Sequence, residues 1–316
     1  MAISCHPGHL SGKFIQLSGP ESTMTSALRC LGSASAFWFV LPCLLVLAFT
    51  SVYPVGFGLA VSFTNWNWGN QFEFVGWANY ANLLADAEFW SVMRNTVVFA
   101  ASATAIEIAL GFYLAVQVDR LAIRTDLIRA VIMLPLMVSG IVVALMSKVM
   151  FDPFLGIINH LIGVFGLGPS AFYGAAETAM ASIVAVDVWW QTAFVFIIML
   201  AGLRSLPAEP VEAARVEGAS EFTIFWFIKL PMLRSLLITV VIIRAIDTLK
   251  VFDIVFGTTG GGPALATEVV QTFVYRTAYS YQQIGKAMAT MILFSLLILV
   301  ISLALQALQR RGEDAA

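Results

Sequence analysis

An all-α, polytopic membrane protein with about six transmembrane helices is the fold class this sequence predicts, on three observations. The first is a shortage of charge. Of 316 residues, 59% are hydrophobic and only 11% charged, and the mean hydropathy is +0.88. Soluble domains carry about 25% charged residues, so lipid is the solvent this composition suits. The second is the recurrence of apolar stretches of bilayer-crossing length, about 20 residues each. The third is the uneven placement of lysine and arginine between those stretches. A net charge of −2 with no basic block gives no footing for a nucleic-acid partner.

Six apolar segments qualify: 36–63, 93–117, 128–151, 179–203, 232–256 and 284–308. Pro42, Pro54 and Pro135 lie inside them and predict kinks, which a helix bundle tolerates by re-satisfying the freed backbone groups. Eleven lysines and arginines fall on one side: Lys13, Arg29, Arg120, Arg124, Arg129, Arg204, Arg215, Lys229, Arg234, Arg310 and Arg311. Four fall on the other, Arg94, Lys148, Arg276 and Lys286, and two lie inside the fifth segment. The richer side is cytoplasmic, so both termini and the 205–231 loop are expected there. Three regions follow: an N-terminal tail (1–35), a transmembrane domain (36–308) and a short C-terminal tail (309–316). Residues 1–23 show no periodicity and no signal-peptide core; they are expected to be a disordered tail, or to precede a true start at Met24. Cys5, Cys30 and Cys43 have neither metal-ligand nor CxxC spacing.

The loops on the poorer side are distinctive. Residues 65–90, NWNWGNQFEFVGWANYANLLADAEFW, suit either an aromatic belt at the membrane interface or a surface for a partner protein. Residues 152–177 form a short amphipathic stretch whose His160 lacks the companions of a metal site. TTGGGPALATE (258–268) is glycine-rich, but Pro263 follows Gly262, where a phosphate loop needs lysine and serine or threonine. No GxxxxGK[ST] string occurs anywhere, so no ATP site of that type is present. A tight turn at a helix end accounts for the glycines.

The fifth segment carries Arg244, Asp247, Lys250 and Asp253, alternating in sign at every third residue. Neighbours three apart on a helix touch, so each charge is expected to find an opposite partner along a ridge that drifts about 60° per step. A charge at the bilayer centre costs about 2.5–3.5 kcal/mol on insertion scales, which demands a protein-lined or watered setting. The ridge is either a structural ion-pair ladder or a polar wall of a translocation path. Glu107 and Asp187, in the second and fourth segments, lack local partners, and each can pair with the fifth. Trp189, Trp190 and Gln191 follow Asp187. Aromatic faces beside hydrogen-bonding groups suit a sugar or polyol, though paired tryptophans also pack or face lipid. The ionic groups near the path include no cluster of free cations, which favours neutral over phosphorylated ligands.

One segment decides between transport classes: EAARVEGASEFTIFWFIKLP, residues 212–231. Pro210 suits a first helical turn and Glu212 lies near its positive end. Arg215 is three residues on and positioned to pair with Glu212. Ala214 and Gly218 share a face without bulk, and Gly218 weakens the helix before a second, aromatic piece. The bland reading is an interfacial anchor; the sharper one is a docking helix. The pattern Glu212-Ala213-Ala214, Gly218, Ile228, Leu230-Pro231 resembles the EAA loop of bacterial ABC importer permeases, over residues 36–308 and with the type I (MetI-like) architecture. The NWNW, FVGWANY, RAIDTLKVFD and TTGGGP stretches resemble the carbohydrate-uptake branch, in the subunit that pairs with a second, different permease in sugar, polyol and glycerol-phosphate importers. That resemblance implies that Glu212, Ala213, Ala214, Gly218, Leu230 and Pro231 meet a cytoplasmic ABC ATPase dimer. It also implies that ATP and Mg sit on that ATPase, none on this chain, and that a periplasmic or lipid-anchored solute-binding protein delivers the ligand at the inner membrane. The competing class is an ion-coupled secondary transporter using the intramembrane carboxylates. It would need no docking loop. An intramembrane enzyme lacks support, since HExxH and GxSxG are absent.

Overall fold

The computed structural model describes residues 34–69, 72–121, 125–166 and 168–314. The expectations for residues 1–33, including a start at Met24, lie outside the described residues. Every regular element among the described residues is helical, with only two isolated β-bridges, Thr64–Phe74 and Asn67–Gln283.

The chain divides into two units, residues 1–57 and 58–316. In the first, α1 (Ala34–Leu47) carries Pro42 without a break. A π turn, Ala48–Val52, then precedes Pro54. Proline has no N–H to give to the preceding turn. The widened turn compensates: the Tyr53 N–H bonds the Ala48 carbonyl, and the Thr50 hydroxyl donates to the Val46 carbonyl at 2.7 Å. Phe49, Tyr53 and Phe57 stack in sequence along this face. Next comes α2 (Tyr53–Ser62).

The second unit holds α3 (Ala78–Ala85), α4 (Ala87–Arg120), α5 (Thr125–Met133), α6 (Gly140–Met150), α7 (Ile157–Val164), α8 (Ala176–Ser205), α9 (Ala208–Val216), α10 (Glu221–Ile224), α11 (Leu230–Met232), α12 (Arg234–Leu249), α13 (Asp253–Thr258), α14 (Val270–Tyr275) and α15 (Ile284–Asp314). Its spine is the pair α4 and α8. Gly111 lets them close: a Cβ there would lie 2.6 Å from the Val195 Cβ. Ala115, Phe196, Met199 and Leu203 fill the seam. Tight contact without a bulky side chain is how membrane helices associate when no hydrophobic force separates protein from lipid.

Four stretches are long and apolar enough to cross a bilayer: Trp38–Ser62, Ala87–Arg120, Ala176–Ser205 and Ile284–Ala307. They correspond to the first, second, fourth and sixth predicted segments. A fifth arises if Glu221–Met232 and Arg234–Thr258, bent by 67°, count as one. The predicted third segment is not one helix. Pro135 ends α5, a 3-10 turn spans Pro135–Met137, and α6 starts afresh at Gly140. The kink expected at Pro135 is therefore a full break. The fifth segment breaks as well, between Leu249 and Asp253. Helix α1 begins at Ala34 and α15 runs to Asp314.

The two broken segments pack on each other. A Cβ on Gly257 of α13 would lie 2.6 Å from the Ala144 Cβ of α6. A Cβ on Gly140 would meet Trp190 at 2.8 Å and Asp253 at 3.0 Å. Irregular backbone at membrane depth survives only where it is buried in protein or lines a watered cavity. Here one freed carbonyl, Val138, accepts the Trp190 indole N–H at 3.1 Å.

Candidate functional site

Arg244 on α12 is the centre of the site, 2% exposed. Its Nε and Nη2 donate to the two oxygens of Glu107 on α4, at 2.7 and 3.0 Å. Its Nη1 donates to Asp247 at 2.7 Å, and its Nη2 lies 3.7 Å from Asp187 on α8. The fork-to-fork geometry with Glu107 is the arrangement in which a guanidinium binds a carboxylate most strongly. Buried charges must be paired, and this one arginine ties together the three helices that form the middle of the unit. Thr104 of α4 and Thr248 of α12 add a hydroxyl pair at 3.0 Å. Glu107 and Asp187 thus both find their partner on the fifth segment.

The charge ladder does not form as expected. Only its first step, Arg244 to Asp247, is an ion pair; among the described residues Lys250 and Asp253 join none. The reason is the helix end. Lys250 caps α12 with its N–H on the Asp247 carbonyl, and Asp253 opens α13, where its carboxylate faces a positive helix terminus. The chain turns between them, so the three-residue spacing no longer places them in line.

What the break creates is a cavity of about 220 Å³. Asp187, Trp190, Gln191, Arg244, Asp247, Lys250 and Asp253 all line it, with Thr248, Val251, Phe252 and Ile254. Seven of the eight expected path residues therefore share one wall. Trp189 does not. It is 58% exposed and lines a separate apolar groove with Leu110, Tyr113, Val131 and Pro135.

At one end of the unit lies the EAA segment. α9 stops in a glycine turn: Gly218 adopts φ +83°, and the Ala219 N–H bonds the Ala214 carbonyl at 3.0 Å. Such left-handed ends are what glycine provides. Gly218 is thus the bend itself and does not extend a small face with Ala214. Ser220 then caps α10 by accepting the Thr223 N–H. The expected Glu212–Arg215 pair is absent; Arg215 instead binds Glu221 across the bend at 2.9 Å. Glu212, Ala213, Gly218 and Pro231 are exposed, and Ala214 and Leu230 half-buried. The loop is held to α4 by Lys229, whose Nζ lies 3.2 Å from Asp119, and by Phe225 against Phe112.

The opposite end carries a second ion network. Arg276 binds Glu88 and Glu268, and Lys286 binds Asp86 at 3.0 Å. Glu268 closes the glycine-rich turn and packs on Gly261, leaving no room for a Cβ there. The turn is braced by Thr259 and Thr267 at 2.7 Å and by Asn95, which donates to the Leu265 and Glu268 carbonyls. Burial pushes the Glu268 carboxyl above the usual glutamate value, against the pull of Arg276. For Asp86, burial raises the carboxyl, but the hydrogen bond and charge of Lys286 together with the backbone N–H groups of Glu88 and Phe89 outweigh it and hold it below the usual value. Apart from Arg276–Glu268, neither this network nor the Asp119–Lys229 pair is visible in local sequence, since those partners lie 110 to 200 residues apart.

Residues 107–313 match the family model described as binding-protein-dependent transport system inner membrane component. The chain belongs to this family. It is 32% identical over 84% of its length to the trehalose/maltose transport system permease protein MalF of Thermococcus litoralis, covering 89% of that protein. It is 31% identical over 87% of its length to the multiple sugar-binding transport system permease protein MsmF of Streptococcus mutans, covering 95%. A probable ABC transporter permease of Sinorhizobium fredii, y4oQ, is 30% identical over 87% of this chain and 89% of its own. In fold, it superposes on a crystal structure of a bacterial ABC transporter that imports the acidic polysaccharide alginate, with TM-score 0.79, 20% identity, and 90% and 99% coverage. This family member is therefore a multi-pass transport subunit built on a permease fold.

Proposed function

We propose that this permease is one half of the membrane pathway of an ATP-driven importer for a carbohydrate, a sugar or polyol. The relatives' names, trehalose/maltose and multiple sugar among them, support the ligand class. A second permease completes the path, a solute-binding protein delivers the ligand, and a separate ABC ATPase dimer with ATP and Mg supplies the energy. Both termini and the EAA loop are cytoplasmic. The cavity wall of Asp187, Trp190, Gln191, Arg244, Asp247, Lys250 and Asp253 is the substrate path of this subunit, and Glu212, Ala213, Ala214, Gly218, Leu230 and Pro231 form the ATPase seat.

The observation that carries this reading is that one short stretch of chain joins the exposed loop to the cavity. Pro231 and Arg244 are 13 residues apart, on α11 and α12. A partner that moves the loop therefore moves Arg244, and with it Glu107. A coupling element that biases two packed arrangements is the general form of such transitions. Gly218→Trp tests the seat. The left-handed φ and the bulk together are expected to abolish co-purification of the ATPase and ATP-dependent uptake in proteoliposomes. If both survive, the docking role is wrong.

The alternative, an ion-coupled carrier, draws on the excess of carboxylates around Arg244. Uptake that persists without ATP and follows an imposed proton or sodium gradient would select it.

A further inference from the structure

The apolar groove beside Trp189 and two arginines at the loop end of α5 and α8 belong to one feature. The groove holds about 480 Å³ between α4, α5 and α8, with Tyr113, Ile132, Trp189 and Ala193 in its wall. Tyr113, Val131 and Trp189 are exposed, and an open apolar surface of this kind marks a lipid or protein contact. At the loop end, Thr125 opens α5 and is 8% exposed. Two guanidiniums converge on its hydroxyl: the Arg129 Nη2 donates at 2.7 Å and the Arg204 Nη2 at 3.2 Å. Like charges sharing one neutral acceptor repel each other, and little in the chain offsets them. Among the described residues their one ion pair joins Arg129 to Asp126 at 3.8 Å, with Asp126 90% exposed, and such a pair is worth little. The Arg129 Nε is buried without an acceptor. On the neighbouring α4 and loop, Asp119 and Glu221 are engaged by Lys229 and Arg215.

Helical register joins groove and arginines. Thr125 and Ile132 stand seven residues apart on α5, and Ala193 and Arg204 eleven apart on α8. Seven residues are close to two turns and eleven to three, so each pair shares a face. The helical rise separates the two ends by about 10–17 Å, the depth of one leaflet in a hydrocarbon core about 30 Å thick. That is the reach from a phospholipid phosphate along its acyl chain. A helix of another subunit is the poorer occupant, because cytoplasmic helix ends gather lysine and arginine and would face these two. A phospholipid of net negative charge brings the missing anion, and guanidiniums bind phosphate oxygens in pairs. We propose that the groove holds an anionic phospholipid, its phosphate between Arg129 and Arg204 and one acyl chain along α5 and α8 past Trp189. Basic pockets between helices bind such headgroups on the cytoplasmic side; placement in that leaflet rests on the orientation proposed above, whereas the pairing of groove and arginines does not. Arg204 is the last residue but one of α8, and α9 begins at Ala208, so the bound phosphate steadies the point where the EAA loop departs.

Trp189 is the probe. The full-length chain, with whatever subunits co-purify, is held in nanodiscs whose two leaflets have the same composition, so that sidedness does not enter. Acyl chains brominated to quench tryptophan are carried either by phosphatidylglycerol or by phosphatidylcholine, at the same low mole fraction. The difference between the chain and Trp189→Phe isolates the Trp189 signal. Half-quenching is expected at a several-fold lower fraction of phosphatidylglycerol, since each arginine near the headgroup adds several-fold to the attraction. Arg129→Gln/Arg204→Gln should remove that preference while every tryptophan stays in place. Arg129→Lys/Arg204→Lys keeps the charge and should retain most of it. The control Arg310→Gln/Arg311→Gln, in the C-terminal tail, should leave it unchanged. Equal quenching by the two lipids overturns the headgroup site. If neither quenches Trp189, protein covers the groove and the proposal falls. If inorganic phosphate abolishes the preference, the arginines hold a soluble anion and the lipid assignment is wrong. If the lysine variant loses the preference as fully as the glutamine variant, the arginines act on the fold and not on the headgroup.

Discussion

Two ion pairs hold the same helix, α4, to the same following stretch of chain, and they differ in burial. Glu107 meets Arg244 with side chains 0% and 2% exposed; Asp119 meets Lys229 with both at 19%. They stand 12 residues apart on α4, about 18 Å along its axis. The inner pair is bidentate, dry and short of positive charge. The outer pair is a single contact with water at hand. Burial makes the inner pair a commitment of the fold, because neither charge can be left alone. Partial exposure makes the outer pair a contact that can be lost and regained. Together they close a mechanical circuit: loop, α12, Arg244, Glu107, α4, Asp119, Lys229 and back to the loop.

The largest effect should come from Arg244→Met. It strands the buried Glu107 and Asp187 with no cation between them, and breaking a buried pair in this way costs about 3–5 kcal/mol. Glu107→Gln should cost less, since Asp187 and Asp247 still face the guanidinium. The double variant Arg244→Met/Glu107→Leu should recover part of the loss, because an apolar replacement of both partners removes the stranded charge. Thermal unfolding of the purified chain in detergent measures all three. A double variant no more stable than Arg244→Met would mean that the network does not act as a pair.

The sequence made much of this legible and hid the rest for identifiable reasons. The intramembrane charges could be read directly, since any charge in an apolar run needs a partner. That Glu107 and Asp187 would reach the fifth segment followed. That both would converge on Arg244 did not, because the ladder assumed a helix that in fact ends at Leu249. Helical spacing already separates the tryptophans: Asp187, Trp190 and Gln191 stand three and four apart and share a face, whereas Trp189, two residues on, points elsewhere. That two of the six apolar segments are broken was not legible, because hydropathy does not register a break that a partner helix fills. Gly140 and Gly257 permit that filling, and their role depends on residues far along the chain. The EAA loop was legible as two helices and a bend. The Arg215 partner was not, since Glu221 approaches only once Gly218 has reversed the chain.

The intermediate effect concerns pH, and it contrasts two acids at the glycine-turn end. Glu268 is 1% exposed and its carboxyl is raised by burial. The folded state therefore holds its proton more tightly than the unfolded one. Stability from this group is full below the unfolded glutamate value and falls as pH rises through the folded one. Asp86, half-buried against Lys286, is lowered. Its contribution is full above the unfolded aspartate value and falls as pH drops toward the folded one. Glu268→Gln should flatten the loss on the alkaline side and leave the acid side intact; Asp86→Asn should do the reverse. Unfolding midpoints across pH 3 to 8 compare them. The same slope in both variants would show that neither acid governs this end.

The smallest change in stability, about 1 kcal/mol or less, is expected at the outer pair. Its consequence for transport should nonetheless be specific. Lys229→Asp opposes Asp119 with a like charge and releases α4 from the loop, while α12 still follows it through the backbone. The loop then moves Arg244 without moving Glu107 in step. ATP hydrolysis should continue with the fold intact, and ligand taken up per ATP should fall several-fold. The exchange Asp119→Lys with Lys229→Asp restores the opposite charges and should restore the ratio. A merely structural pair would lower yield and leave the ratio unchanged. A swap that fails to recover it, in a protein that still binds the proposed ATPase, would remove α4 from the proposed coupling path and leave α12 to carry the motion alone.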